Sequence, residues 1–178
     1  NPSTRFIVPA QKALSYFLPA SGLISTETAR LTSSPLGVGM EQAVFESVRY
    51  SAECQDCGAE LECWGVQALV DGRLRWDVES TCFACGFAVA VCGGDVPAER
   101  RDQMLSEHGP ARLQVSSPPM KSVVIMRVLR AELGIDLKNA KAVLHRVLDG
   151  DYSGTLPEME HLARTLREAG IAAAATRP

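Results

Sequence analysis

The sequence lacks the signatures of the common hydrolases, metalloproteases and nucleotide-binding enzymes. Its 178 residues contain no glycine-rich phosphate loop, no Gly-x-Ser-x-Gly elbow and no His-Glu-x-x-His helix. Histidine is also scarce: His108 falls at a predicted helix end, and His145 and His161 lie in helical patterns, where exposed or packed roles are more common than catalysis. We therefore predict no catalytic residues and expect the protein not to be an enzyme.

Long apolar runs are missing as well, although 46% of the residues are hydrophobic. No stretch of about 18 uninterrupted apolar residues occurs, so the sequence predicts no transmembrane helix and no membrane partner. A secretory signal over residues 5–28 is an open alternative, but Ser15, Pro19 and Ser21 interrupt its apolar part.

Positive charge is scarce in the front half of the chain, whose net charge as a whole is -3. Residues 40–118 carry 6 Lys and Arg against 13 Asp and Glu, whereas residues 119–178 carry 9 against 7. Cations that neutralise phosphates dominate the affinity of proteins for nucleic acid. Nucleic acid is therefore not an expected partner of the front half, and any basic docking face is expected near the C-terminus.

Two near-identical cysteine pairs stand out among the 6 cysteines, and each pair is followed by a glycine. Two intervening residues allow one tight turn to present both sulfurs, and Gly58 and Gly86 tolerate the backbone angles of that turn. We predict one structural Zn2+ in a reducing compartment, the cytoplasm, in preference to disulfides or redox dithiols. The predicted ligands are Cys54, Cys57, Cys82 and Cys85.

The two remaining cysteines, Cys63 and Cys92, follow the pairs at similar distances. We expect both to pack as small apolar residues, although extra metal ligands or a redox pair are alternatives. A closed four-thiolate site has no open position for water, so it stabilises a fold and does not activate a nucleophile. A redox-responsive zinc-thiolate regulator, in which oxidation releases the metal, is an alternative function.

Strand patterns surround the cysteine pairs. Residues 44–50, 59–70, 73–80 and 87–91 are rich in apolar and aromatic side chains with partial alternation, and Asp71-Gly72 predicts a tight hairpin turn. We therefore predict a small antiparallel zinc ribbon over residues 40–95. Its acidic composition favours protein recognition, or stabilisation alone, over nucleic-acid binding.

The chain before this ribbon has no sustained periodicity. Residues 1–39 contain 4 prolines and many serines and threonines, which predicts a flexible or non-native extension. On this hypothesis the physiological chain begins at Met40.

Helical patterns dominate the remainder of the chain. A short helix over residues 97–108, with Asp95 as its possible cap, is expected to form a linker over residues 96–110. The subsequent elements are expected to form a domain over residues 111–178. They are a strand at 113–115, helices at 120–133 and 136–148, a helix opened by a capping box of Thr155 and Glu158, and a strand at 171–176.

Residues of about 111–176 resemble the C-terminal domain of the bacterial ribosomal stalk protein, the large-subunit L-seven/L-twelve family. The resemblance implies three helices on a three-stranded sheet, so the expected fold class is α+β: a small antiparallel β zinc ribbon followed by a stalk-like α/β sandwich. It is carried by the strand at Leu113–Val115 and by the segments VVIMRVLR at 123–130, LGIDLKNAK at 133–141 and LARTLREAG at 162–170.

In that family the domain recruits translational GTPases through the first two helices of the motif. A zinc ribbon here replaces the family's dimerisation segment, so we expect a cytoplasmic two-module adaptor that contacts the ribosome or a translational GTPase. The related Clp protease adaptors provide a further alternative. Carried over by position, the partner-binding residues are Val123, Met126, Arg127, Arg130, Leu137, Lys138 and Lys141.

Overall fold

A computed structural model describes residues 4–6, 43–116 and 121–177 of the chain. The described residues form two antiparallel sheets and four helices, which confirms the prediction of a mixed α and β fold at that level. The extension predicted over residues 1–39 lies outside the described residues except for 4–6. The division into an extension, a ribbon, a linker and a C-terminal domain stays a prediction.

The first sheet has five strands in the order β1-β5-β4-β3-β2. Between β3 and β4, Asp71 and Gly72 have φ angles of 49° and 71°, as a two-residue hairpin turn matched to the twist of its strands requires. The turn predicted from this dipeptide is confirmed. The strands are β1 (Thr4–Phe6), β2 (Val44–Glu53), β3 (Glu60–Val70), β4 (Arg73–Thr81) and β5 (Ala88–Cys92).

One face of the first sheet packs against helix α1 (Ala98–His108). We call it the inner face; it carries Val48 and Trp76, which form a buried cluster with Met104 of α1. The expected cap at Asp95 is wrong, because α1 begins directly after Pro97, which occupies the cap position without a side-chain hydrogen bond. Asp95 therefore precedes the cap position by two residues.

The second sheet has three strands in the order β7-β6-β8, and the three remaining helices pack together with it. Its elements are β6 (Ala111–Ser116), α2 (Ser122–Leu133), α3 (Leu137–Leu148), β7 (Ser153–Gly154), α4 (Leu156–Glu168) and β8 (Ala172–Thr176). Their buried side chains, among them Leu113, Ile125, Leu129, Leu144 and Leu166, form one apolar core. Burial of this apolar surface is the main term that stabilises the second sheet with its helices.

Helices α3 and α4 begin at the predicted caps. The Asp136 side chain accepts a hydrogen bond of 2.7 Å from the backbone N–H of Asn139. Thr155 and Glu158 form the reciprocal capping box, in which each side chain accepts from the other residue's backbone N–H. These local signals place the starts of both helices.

The first turn of α4 also joins the two sheets through polar contacts. Because α4 begins at the inner face of the first sheet, its cap and its first backbone N–H have partners far away in the sequence. The Thr155 hydroxyl donates to Gln67 at 2.6 Å, the Leu156 N–H donates to Glu46 at 3.2 Å, and Arg101 of α1 donates twice to Glu158 at 2.7 Å.

Glu46 is buried at this junction, and Arg177 forms an ion pair with its carboxylate. Replacing Arg177 by alanine removes the cation and leaves a buried carboxylate without charge compensation. We expect Arg177→Ala to lower the free energy of unfolding by about 2 kcal/mol, measured by urea denaturation. Arg112→Ala, an exposed arginine on β6, is the matched control and should change it by less than about 0.5 kcal/mol. Equal free energies of unfolding for the two variants would contradict a stabilising role for the ion pair between Arg177 and Glu46.

Candidate metal centre

Two loops of matching geometry place the four predicted ligands. We call residues 54–58 and 82–86 the knuckle loops; each follows a strand of the first sheet and leads into the next. In the first, the Gly58 N–H donates to the Cys54 carbonyl at 2.8 Å; in the second, the Gly86 N–H donates to the Cys82 carbonyl at 2.9 Å. Both glycines have positive φ, 72° and 76°, which favours glycine over other residues.

The knuckle loops bring the four sulfurs together. The Sγ atoms of Cys54 and Cys85 lie 3.7 Å apart, and those of Cys57 and Cys82 lie 3.6 Å apart. All four sulfurs lie within 4.8 Å of one another. A tetrahedral ion with metal–sulfur bonds of about 2.3 Å requires sulfur–sulfur distances of about 3.8 Å. The cluster therefore fits a single four-coordinate metal ion, and these separations are far longer than a disulfide bond.

Local electrostatics favour thiolate formation at one of the four positions. The backbone N–H groups of Cys85 and Ala84 outweigh burial and lower the pKa of Cys82 to about 7. For Cys85, the backbone N–H of Phe87 lowers the pKa, but hydrogen bonds with the neighbouring thiols, Cys57 first, and desolvation raise it to about 12. Four thiolates this close repel one another, so a bound cation is needed to hold all of them ionised.

Burial divides the ligands into two kinds. Cys54 and Cys82 are buried, whereas Cys57 and Cys85 are exposed. The buried pair belongs to a small apolar cluster that continues into the first sheet and includes Leu61. A bound metal ion would thus hold the two knuckle loops together at the end of the first sheet. The sulfurs of the two exposed cysteines would remain accessible to solvent.

The other two cysteines, Cys63 and Cys92, are not part of the four-sulfur cluster. Cys63 is buried on β3, where the Ser80 hydroxyl donates to its sulfur at 3.3 Å. Strand register places Cys63 beside Ser80 and Ser80 beside Val89, three residues from Cys92 on β5. At about 3.3 Å per residue, the offset along the strands is about 10 Å, which is too long for a disulfide. Cys63 occupies a packing position, and these two cysteines do not form a redox pair in this structure.

The seven residues predicted to bind a partner lie on two helices that contact each other, α2 and α3. Val123 and Leu137 are large apolar side chains that are 70% and 55% exposed. Met126 is half-buried against the core of the second sheet. The four cations, Arg127, Arg130, Lys138 and Lys141, are all exposed.

Sequence reasoning missed two exposed aromatic features. Phe83 lies between two ligands of the second knuckle loop and is exposed, and Phe45 and Trp64 are exposed on the first sheet. A signal for the latter was present: one side of β3 carries Leu61, Cys63 and Leu69, yet Trp64, Val66, Ala68 and Val70 on the other side are apolar too. Such a pattern indicates a strand covered on both faces.

No protein-family model, curated protein or solved structure matches the chain. Within the described residues, no helix has both the length and the apolar content needed to cross a membrane.

Proposed function

We propose that the protein is a non-enzymatic interaction module that binds one structural Zn2+ and docks a protein of the translation machinery. The convergence of the four cysteine sulfurs carries the metal part of this proposal. The docking part is supported by the exposed apolar and cationic surface of α2 and α3, together with its resemblance to the stalk-protein domain.

Zinc is the metal that best suits the cluster. Four sulfur ligands at tetrahedral spacing are typical of structural zinc sites, whereas harder ions such as Mg2+ and Ca2+ prefer oxygen ligands. A site closed by four cysteines leaves no position for a water molecule, so its role is to stabilise the end of the first sheet. The two exposed ligands, Cys57 and Cys85, also favour a second candidate function, in which their thiolates attack a peroxide, reduce it to water or an alcohol, become oxidised to a disulfide and release the metal.

The surface of α2 and α3 suits an acidic partner with an apolar anchor point. Val123 and Leu137 provide the apolar contact, and the exposed cations Arg127 and Lys141 follow them by four residues, which places each cation on the same face of its helix as the apolar residue. Cations beside an apolar contact steer an acidic partner and fix its orientation. By resemblance, this partner is a translational GTPase or a ribosome-bound factor.

The docking proposal predicts that reversing charges on α2 abolishes capture of the partner. We expect the full chain to recover ribosomes or a translational GTPase from a native lysate, and we expect Arg127→Glu with Arg130→Glu to reduce recovery by about tenfold or more. Association should also weaken with added salt.

A matched control makes the same change of charge elsewhere. Arg73→Glu with Arg112→Glu alters two exposed arginines, one on β4 and one on β6, and should leave recovery unchanged. Equal recovery by both double variants, or recovery of a Clp ATPase in place of translation factors, would contradict the proposed partner.

A further inference from the structure

The face of the first sheet opposite α1 carries an open apolar groove of about 540 Å³. We call this face the outer face. The floor of the groove comes from β2 and β3, and β4 contributes a polar wall of Arg75, Asp77 and Glu79. Exposure of such an apolar floor to water is unfavourable. The apolar lining residues are Ala43, Phe45, Trp64, Val66, Ala68 and Val70.

The two edge strands of this sheet are joined by residues 7–42. Strand β1 lies at one edge of the sheet and β2 lies at the other. Every neighbouring pair of strands from β1 to β2 is antiparallel, and because these pairs number four, β1 and β2 run in the same direction. Residues 7–42 therefore form a crossover connection between two parallel strands of one sheet.

The connection has to pass diagonally from one edge of the sheet to the other. Followed across the sheet, the strand register places Phe6, at the end of β1, level with Arg49 of β2. Strand β2 begins five residues earlier, at Val44, which is about 17 Å back along the strand. Four strand spacings add about 19 Å across the sheet, so the two ends are about 26 Å apart. Residues 7–42 can reach up to about 120 Å, which is ample for this path.

The hand of the sheet fixes which edge lies on which side. The carbonyls of Ser47 and Arg49 accept hydrogen bonds of 2.8 Å from His108 and Gln103 of α1, so they point away from β3. The side chains of Ser47 and Arg49 lie on the outer face. In an ascending strand of L-residues whose side chains face the viewer, the carbonyls of those residues point to the right. Viewed from the outer face, β2 is thus the right-hand edge and β1 the left-hand edge, and both ascend.

This arrangement favours a connection over the outer face. Crossover connections between parallel strands of one sheet are almost always right-handed. A path from the left-hand edge to the right-hand edge in front of the outer face is right-handed, whereas a path behind the sheet is left-handed. The inner face is in addition occupied by α1 and α4, which contact Val48 and Gln67.

The composition of the connecting segment suits the floor of the groove. Residues 13–26 carry no charged side chain, so they can cover an apolar surface without burying an unpaired charge. Ala43, the first described residue after the segment, already lines the groove. The large apolar and aromatic residues of this stretch are Leu14, Tyr16, Phe17, Leu18, Leu23 and Ile24.

We propose that residues 7–42 cross the outer face of the first sheet and pack apolar side chains of residues 13–26 against Phe45 and Trp64. The first sheet would then be covered on both faces, which agrees with the apolar residues on both sides of β3. On this inference residues 7–42 are part of the packing of the first sheet, in place of the flexible or non-native extension that the sequence predicts. The inference depends neither on the metal nor on what α2 and α3 bind.

A photocrosslinker at position 45 of the full chain tests the proposal. Phe45→p-benzoylphenylalanine is prepared in isotopically labelled and unlabelled form, and the two are mixed before irradiation. We expect crosslinks from position 45 to residues 13–26 of the same chain, with equal yield from about 1 to about 100 µM. The same crosslinker at Leu148, an exposed residue on α3, is the matched control and should not react with residues 13–26.

Hydroxyl-radical labelling of the unaltered chain provides a second measurement that needs no substitution. Within the described residues Phe45 is 65% exposed and Phe83 is 80% exposed, so without further cover the two should be labelled at similar rates. If residues 13–26 cover the outer face, Phe45 should be labelled at least about fivefold more slowly than Phe83. Similar labelling rates would overturn the proposal. Crosslinks from position 45 that join only two different chains, or that never include residues 13–26, would overturn it as well.

Discussion

Replacing Cys82 by serine is expected to remove the metal and unfold the end of the first sheet. The unaltered protein should contain one zinc per chain by elemental analysis, and Cys82→Ser should contain close to none. Cys82 is buried, and the free energy of metal binding at such a site is also folding free energy. We expect the variant to lose at least about 4 kcal/mol of stability, measured by denaturant unfolding, and a strong chelator should act in the same direction.

The control for this prediction is Cys92 on β5, which lies outside the four-cysteine cluster. Cys92→Ser should retain one zinc and should unfold close to the unaltered protein, because Cys92 is not among the four clustered ligands. Full stability of Cys82→Ser, or absence of bound metal in protein prepared with zinc present, would rule out a structural role for the site.

The second large effect is expected at Gly65, whose position on β3 lies under the ring of Trp76. A Cβ atom at this position would lie 2.1 and 2.2 Å from two carbons of that ring. The ring therefore has to move out of its buried contact with Val48 and Met104. We expect Gly65→Ala to lower the free energy of unfolding by about 3 kcal/mol in urea denaturation, although alanine is otherwise better suited to a strand than glycine.

A double-mutant cycle separates this steric cause from a general effect of the substitution. In a Trp76→Leu background, which removes the ring, Gly65→Ala should cost less than about 1 kcal/mol. Additive losses in the double variant would show that contact with the ring is not the reason.

The cysteine cluster and the starts of α3 and α4 could be predicted because their determinants are local. Two intervening residues and a following glycine define each knuckle loop, and Asp71-Gly72 defines the hairpin that brings the two loops to the same end of the sheet. The capping box of α4 is likewise encoded within four residues. Each of these features depends on backbone geometry that a few neighbouring residues determine.

The remaining features depend on contacts between distant residues and could not be predicted in the same way. Gln67 and Thr155 are 88 positions apart, and neither position alone indicates the other as its partner. Helices α1 and α4 cover one face of the first sheet and leave the other face exposed. Which face they cover depends on tertiary packing and not on local sequence. The failed cap at Asp95 shows that a suitable residue type does not by itself set where a helix begins.

The contacts at the start of α4 have a consequence for how the molecule unfolds. Because Glu46 and Gln67 of the first sheet satisfy the first turn of α4, separating the halves would expose groups that are paired in the intact chain. Each half therefore stabilises the other. We expect one cooperative unfolding transition for the whole chain, whereas two independent modules would give two transitions. A fragment that begins near residue 111 would lack these partners. Helix α4 should therefore be less stable in the fragment than in the whole protein.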